Sequence, residues 1–304
     1  YTIMNDQYKK QVALLIRIMP LVYKIKDFAV HGGTAINLFH KNMPRYSVDI
    51  DITYIPLKKR DESLQDINLN LSNLKKTIEK SIPDIKIIHK ADVWKLMCTK
   101  DGATVKIEVN GTKRGIIEPI EDKELCSKAQ SEFKMGCIAR TVSYTQLYGG
   151  KISAALSRQH PRDLFDCKYM SLDSIALAKY GLIFSLLGSD KPILESLQPN
   201  PIDQRDALEN QFQGMTDIPF TYGDYEKTRE QLIVSVHSIL TDEDKNFLID
   251  FEQGEPQWEN SVYSHFKDFP SVQWKLLNIN KLKIHNPTKF SIELNKLKSF
   301  FVEI

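Results

Sequence analysis

Asp49 and Asp51 are the residues of this chain with the clearest chemical potential. They lie in Val48-Asp49-Ile50-Asp51-Ile52-Thr53, where aliphatic and polar residues alternate. Successive side chains of a strand point to opposite faces, so the three aliphatics reach a core and the two carboxylates share the other face. Two carboxylates side by side repel each other, and a fold tolerates them mainly when a cation sits between. Mg²⁺ suits such a pair, because it takes carboxylate oxygens and keeps its remaining positions for water and substrate phosphate. Upstream, Gly32-Gly33-Thr34 follows the apolar Phe28-Ala29-Val30. It precedes Ala35, Ile36, Leu38 and Phe39 at helical spacing, with Pro44 as the stop. A Gly-Gly-Thr turn opening a helix offers backbone N–H groups and a hydroxyl to phosphate oxygens. Metal and triphosphate therefore converge on one stretch, His31 to Tyr54.

Two further segments carry charged residues in patterned positions. In Thr104 to Asn110, Val105, Ile107 and Val109 alternate with Lys106, Glu108 and Asn110. In Leu147 to Asp166, helical spacing puts Lys151, Ala155 and Arg158 on one face, and Pro161 suits the first position of a new helix. Asp163 then falls in the first turn, and Arg162 and Asp166 are i, i+4 neighbours. A salt-bridged helix corner accounts for Arg162 with either aspartate, but not for a lysine beside Gly149-Gly150 with small residues behind it. Taken singly, D-x-D, Gly-Gly before a helix, and charges on a strand are ordinary structural features. Their order here is specific.

That order of strand, Gly-Gly-Thr, helix and D-x-D strand resembles the signature of the DNA polymerase β-type nucleotidyltransferase fold. Within it, HGGTAINLF followed by PRYSVDIDITY is similar to the AbiEii/AbiGii toxin family, the MenT-like toxins of type IV toxin–antitoxin and phage-defence systems. The K-x6-R-x3-R-D-x-x-D spacing from Lys151 to Asp166 resembles that family's second signature. The resemblance implies an α+β fold. A nucleotidyltransferase domain at 1–140, a mixed sheet flanked by helices, would be followed by a helical lobe at 141–304. It implies an Mg²⁺-dependent enzyme that moves nucleotides from NTP to the acceptor 3′ end of tRNA and is neutralised by a cognate antitoxin. Carried over, Asp49 and Asp51 bind metal with Glu108 as third carboxylate, and Gly32, Gly33, Thr34 and Ser47 lie at the nucleotide. Lys151 joins the active site with Asp163 or Asp166, the choice being open, in a cleft between the lobes. Arg158 and Arg162 become phosphate or structural partners. A phosphate on Ser47 would place negative charge next to the carboxylates and oppose metal binding. A protein or small-molecule acceptor, or a non-catalytic module on the same fold, are the alternatives.

The elements that must position these residues are legible in outline. A helix is expected over 5–26, kinked at Pro20, and another over Asp61–Ser81. Three short strands follow between 85 and 109, with a turn at Asp101-Gly102. One helix is expected from Ile175 to Leu187, closed by Gly188, then one near 224–240 and one capped by Thr241. Phe247, Phe251, Trp258, Tyr263, Phe266, Phe269 and Trp274 are assigned to the core of the second lobe. With 304 residues and a formal net charge of +2, the chain can bury a large core and is not a mass electrostatic binder. Lys58-Lys59-Arg60, Lys75-Lys76 and the C-terminal lysines are candidate RNA-backbone contacts. No window has the ~18 apolar residues of a membrane helix. Cys98, Cys126, Cys137 and Cys167 are scattered, as reduced thiols of a cytoplasmic protein would be. The opening Tyr1 suggests a trimmed start.

Overall fold

A computed structural model describes residues 6–304. The chain forms two compact units, the first running up to Ser143 and adding Asp206–Phe220, the second comprising Tyr144–Arg205 and Thr221–Ile304. A contiguous division at 140/141 leaves no place for the 206–220 excursion. That segment joins the first unit through backbone and hydroxyl bonds: Tyr46 N–H donates to Met215 O at 2.7 Å, and Thr216 Oγ1 to Pro44 O at 2.8 Å.

In the first unit, helix α1 (Asp6–Tyr23) runs unbroken through Pro20; residue 5, where its pattern begins, lies outside the described residues. It buries Val12, Leu15, Ile16 and Met19. Strand β1 (Phe28–His31) leads into α2 (Gly32–Thr34), which widens into a π-helical turn over Ala35–His40. Then come β2 (Asp49–Tyr54), α3 (Arg60–Ser81), β3 (Lys86–Lys90), β4 (Lys95–Lys100) and β5 (Ala103–Val109). Asp101 and Gly102 join β4 to β5 with φ of 49° and 78°, the left-handed pair a two-residue hairpin needs. Strand β6 (Glu121–Glu124), helix α4 (Ser127–Phe133) and β7 (Ile138–Thr141) complete the unit. The sheet has seven strands in the order β3-β4-β5-β2-β1-β7-β6, with β2 parallel to β5 and antiparallel to β1. The fold class is α+β, as the motifs implied.

His40, at the end of the π-helical turn, gives this unit a pH dependence. Burial pulls its pKa from 6.5 down to about 4, with Lys123 adding to the push and Glu121 opposing it. Its folded form stays neutral where the unfolded imidazole takes up a proton. The stabilisation is therefore full above pH 6.5 and is lost as pH falls from there toward about 4. Allowing for partial exposure, roughly 1–2 kcal/mol should go by pH 5. Urea unfolding at pH 7 and pH 5 should show a smaller acid loss for His40→Gln than for the parent.

The second unit is helical: α5 (Tyr144–Arg158), α6 (Pro161–Cys167), α7 (Leu172–Leu177), α8 (Lys179–Leu187) and α9 (Ile193–Leu197), then, after α10 (Arg205–Ala207) at the passage into the 206–220 segment, α11 (Tyr222–Ile239), α12 (Asp242–Glu252), α13 (Pro270–His285) and α14 (Pro287–Glu303). The expected single helix to Leu187 is two, α7 and α8, parted at Ala178. Thr221 and Thr241 each close a capping box, with Asp224 and Asp244. Phe247, Phe251, Tyr263, Phe266 and Phe269 are buried as expected, whereas Trp274 is 56% exposed on α13. Its neighbours Val272, Lys275 and Ile279 take the inward face of that helix, leaving 274 outside.

Helices α5 and α8 meet backbone to backbone. A Cβ on Gly149 would stand 2.2 Å from Gly181 C and Leu182 N, and one on Gly181 would stand 2.0 Å from Thr145 O. Gly149, two residues before the second signature, is thus fixed by helix packing. Gly149→Ala must push two backbones apart and should cost about 3 kcal/mol or more, read as a lowered urea midpoint.

Candidate active site

The two aspartates occupy the half-exposed face of β2, while Ile50 and Ile52 are 0% and 2% exposed on the other. Because β5 runs parallel to β2, Asp49 pairs with Lys106 and Asp51 with Glu108. Glu108 in turn lies opposite Lys95 of antiparallel β4. The face therefore carries Asp49, Asp51, Lys106, Glu108 and Lys95 together. Lys106 Nζ is 2.9 Å from Glu108 Oε2 and 3.8 Å from Asp49 Oδ2, and Lys95 Nζ is 2.9 Å from Glu108 Oε1. Burial alone would raise the Glu108 pKa, but the hydrogen bonds and charges of Lys95 and Lys106 outweigh it and hold the carboxyl below its usual range. Burial would lower the Lys106 pKa, and Asp49, Glu108 and Asp51 reverse that. Among the described residues, no three His, Cys, Asp or Glu side chains group as a metal cage. Glu108, the expected third carboxylate, has a lysine at each of its oxygens.

The Gly-Gly-Thr turn abuts this face, and its composition follows from what it touches. Gly32 has φ +68°, and a Cβ there would lie 2.6 Å from Asp51 Oδ2. A Cβ on Gly33 would lie 2.7 Å from Arg45 Nη2 and 3.0 Å from Ser47 Oγ. The left-handed φ and the Asp51 carboxylate together call for glycine at 32, whereas at 33 a Cβ would have to displace the end of the Arg45 side chain. Thr34 is 1% exposed, and its hydroxyl donates to Asp49 O at 2.5 Å and contacts Ser47 Oγ at 3.0 Å. That side chain ties the turn to β2 rather than facing outward. Ser47 is itself 6% exposed, so a kinase would need the turn to open. Arg45, buried against Gly33 with Nη1 donating to Tyr46 O at 2.8 Å, was not singled out by the motifs. The signal was present: positions 45, 47, 49 and 51 share the parity of one strand face. Lys95 had no such signal, because its place opposite Glu108 depends on strand register.

In the second unit, Lys151, Asp163, Asp166 and Arg158 come together. Lys151 Nζ lies 2.8 Å from Asp163 Oδ1 and 3.0 Å from Asp166 Oδ2, and Arg158 Nη2 lies 2.9 Å from Asp163 Oδ2. The side chains of Lys151, Asp163 and Asp166 are 7%, 7% and 0% exposed, that of Arg158 66%. The geometry follows from sequence: Pro161 starts α6, His160 Nδ1 accepts Arg162 N–H as its cap, and both aspartates then face α5. Burial would raise the Asp163 pKa, and Lys151 and Arg158 overcome it, keeping the carboxyl ionised. The ion pairs of this corner thus run through Lys151 and Arg158, where sequence alone pointed to Arg162.

The sequence profile of the AbiEii nucleotidyl transferase toxins of type IV toxin–antitoxin systems matches residues 13–278. The chain belongs to the AbiEii family. It is accordingly a nucleotidyltransferase toxin of a type IV toxin–antitoxin system, a membership that implies a nucleoside triphosphate substrate and an antitoxin partner. No curated protein matches the chain. Among solved structures, it is similar to MenT4, a nucleotidyltransferase toxin from Mycobacterium tuberculosis H37Rv. Identity is 12%, the TM-score is 0.59, and the match covers 91% of this chain and 93% of that one. At that identity, the likeness establishes a shared fold. Among the described residues of this AbiEii toxin, no helix is long and apolar enough to cross a membrane.

Proposed function

We propose that this AbiEii toxin transfers nucleotides from NTP to the acceptor 3′ end of tRNA in the cytoplasm, with Mg²⁺, and so blocks translation. The observation that carries the site reading is Asp49 and Asp51 on one accessible strand face, with the glycine turn packed against Asp51. The donor set fits a hard divalent cation. Both side chains present carboxylate oxygens, and the lysine ammonium 3.8 Å from Asp49 shows that the face accommodates positive charge. Asp49 and Asp51 would hold Mg²⁺, which when bound supplies charge neutralisation at the attacking and leaving oxygens. Glu108, with both oxygens on lysines, would enter only by exchanging them.

The chain's own groups do the rest. Gly32 and Gly33 bring backbone N–H groups close to the carboxylates, where they can orient triphosphate oxygens. Thr34 and Ser47 hold that turn to β2, and Arg45 backs it. In the second signature, Asp163 and Asp166 hold the ammonium of Lys151, the charge proposed to act on the triphosphate, and Arg158, now on Asp163, has the fork geometry to take phosphate oxygens in bidentate fashion. Positive charge at a triphosphate stabilises the negative charge that spreads over its oxygens in the transition state.

The test is incubation of the purified protein with Mg²⁺, each α-labelled NTP in turn and total tRNA. Label in tRNA from one NTP supports the proposal and identifies the base. Label in protein or a small molecule keeps the chemistry and overturns the acceptor, and no label with any NTP overturns the catalytic reading.

A further inference from the structure

Glu108 stands beside Asp51 in register, yet its carboxylate is spent on two lysines, and one of these lysines also approaches Asp49. We propose that Lys106 is a triphosphate-binding residue of the nucleotide site, and that Glu108 is the residue that positions it. The inference rests on the nucleotide-site reading above, which assigned Lys106 no role.

Three observations carry it. First, Lys106 is two residues before Glu108 on β5 and opposite Asp49 on β2, so it shares the face with both carboxylates of the D-x-D pair. Second, its side chain is 30% exposed, enough for a ligand to reach the ammonium, in contrast to Lys151 at 7%. An ammonium has three N–H donors, and Glu108 takes one at 2.9 Å. Asp49 at 3.8 Å is beyond a direct hydrogen bond, so donors remain for a phosphate oxygen. Third, the charges of the face call for it. Without its lysines, this face would present three carboxylates to a polyanionic triphosphate. Lys95 and Lys106 offset two of them, and of the two it is Lys106 that lies against the D-x-D pair. Lys95, paired across the strands from Glu108, is placed to orient that carboxylate. Lysine's compact charge on a flexible stem suits a contact that must adjust as a triphosphate settles, whereas arginine's fork suits a fixed pair.

The experiment is equilibrium binding to the full-length protein of a non-hydrolysable NTP analogue and of the matching nucleoside monophosphate. Both are measured with Mg²⁺ and again in EDTA, and Mn²⁺ binding is followed separately by electron paramagnetic resonance. Lys106→Gln should weaken the triphosphate about tenfold or more in both media, with a change under threefold for the monophosphate and Mn²⁺ affinity retained or increased. Lys106→Arg should keep triphosphate affinity within about threefold, and Glu108→Gln should reproduce the triphosphate loss while leaving Mn²⁺ binding intact. A structural role alone would lower the urea midpoint without changing the ratio of triphosphate to monophosphate affinity. Unchanged triphosphate binding in Lys106→Gln overturns the proposal. So does loss of Mn²⁺ binding in Glu108→Gln with triphosphate affinity in EDTA unchanged, which would make Glu108 a metal ligand. If the parent protein binds no triphosphate and labels no acceptor, the site reading falls and this proposal with it. Failure confined to the variants of a labelling-competent parent falls on this proposal alone.

Discussion

Asp49→Ala is expected to lower nucleotidyl transfer by about 10³-fold or more, equivalent to about 4 kcal/mol of barrier, the scale of one preorganised electrostatic contribution. The carboxylate is half-exposed, and among the described residues its ion pair is a long one, to Lys106 Nζ at 3.8 Å. Its removal should therefore change stability by less than about 1 kcal/mol, as for other exposed charges. The expected signature is a dead enzyme with a parental urea midpoint, read from labelled-NTP transfer and from unfolding on the same preparation. Growth arrest on expression should vanish with it. A variant that still arrests growth at parental strength would mean that the toxin acts through binding. Loss of transfer accompanied by loss of folded protein would instead make Asp49 a structural residue.

Lys151→Ala should be inactive and also strongly destabilised, which separates it from Asp49→Ala. Removing the ammonium leaves Asp163 and Asp166 buried near each other, with Arg158 reaching Asp163 alone from the surface. Stranding a buried charge in this way costs about 3–5 kcal/mol, far above the value of a surface pair. Unfolding of the second unit should shift accordingly in urea. Neutralising the partners as well, as Lys151→Met with Asp163→Asn and Asp166→Asn, removes the stranded charges and should recover part of the stability. Transfer should stay lost in that triple variant. Recovery of transfer along with stability would show that Lys151 serves the fold only. Asp163 brings a further pH signature: its folded pKa is lowered, so its contribution is full above the unfolded carboxylate range and is lost as pH falls through the folded value. That loss sits at more acid pH than the one due to His40.

Alternation of Val48 to Thr53 determined by itself that Asp49 and Asp51 share a face, since a strand has a period of two whatever it packs against. The Gly-Gly-Thr turn, the Asp101-Gly102 hairpin, the Pro161 helix start and the Thr241 cap were equally local. Each depends on a φ value, a missing N–H or a side-chain cap within a few residues. Family membership followed from the same short stretches. Tertiary structure decided what depends on distant partners. Strand register placed Lys95 and Lys106 on Glu108, the residue expected as third carboxylate. The backbone contact of α5 with α8 explained Gly149, which the sequence offered as part of a lysine motif. Burial settled which residues of the second signature pair: Lys151 reaches both aspartates because α6 lies against α5, a choice that i, i+4 spacing cannot make. Trp274 turned outward because its neighbours on α13 claimed the core, and 206–220 returned to the first unit through bonds to Tyr46 and Pro44. Local rules fix which way a side chain points along its own element; only packing fixes what it meets there.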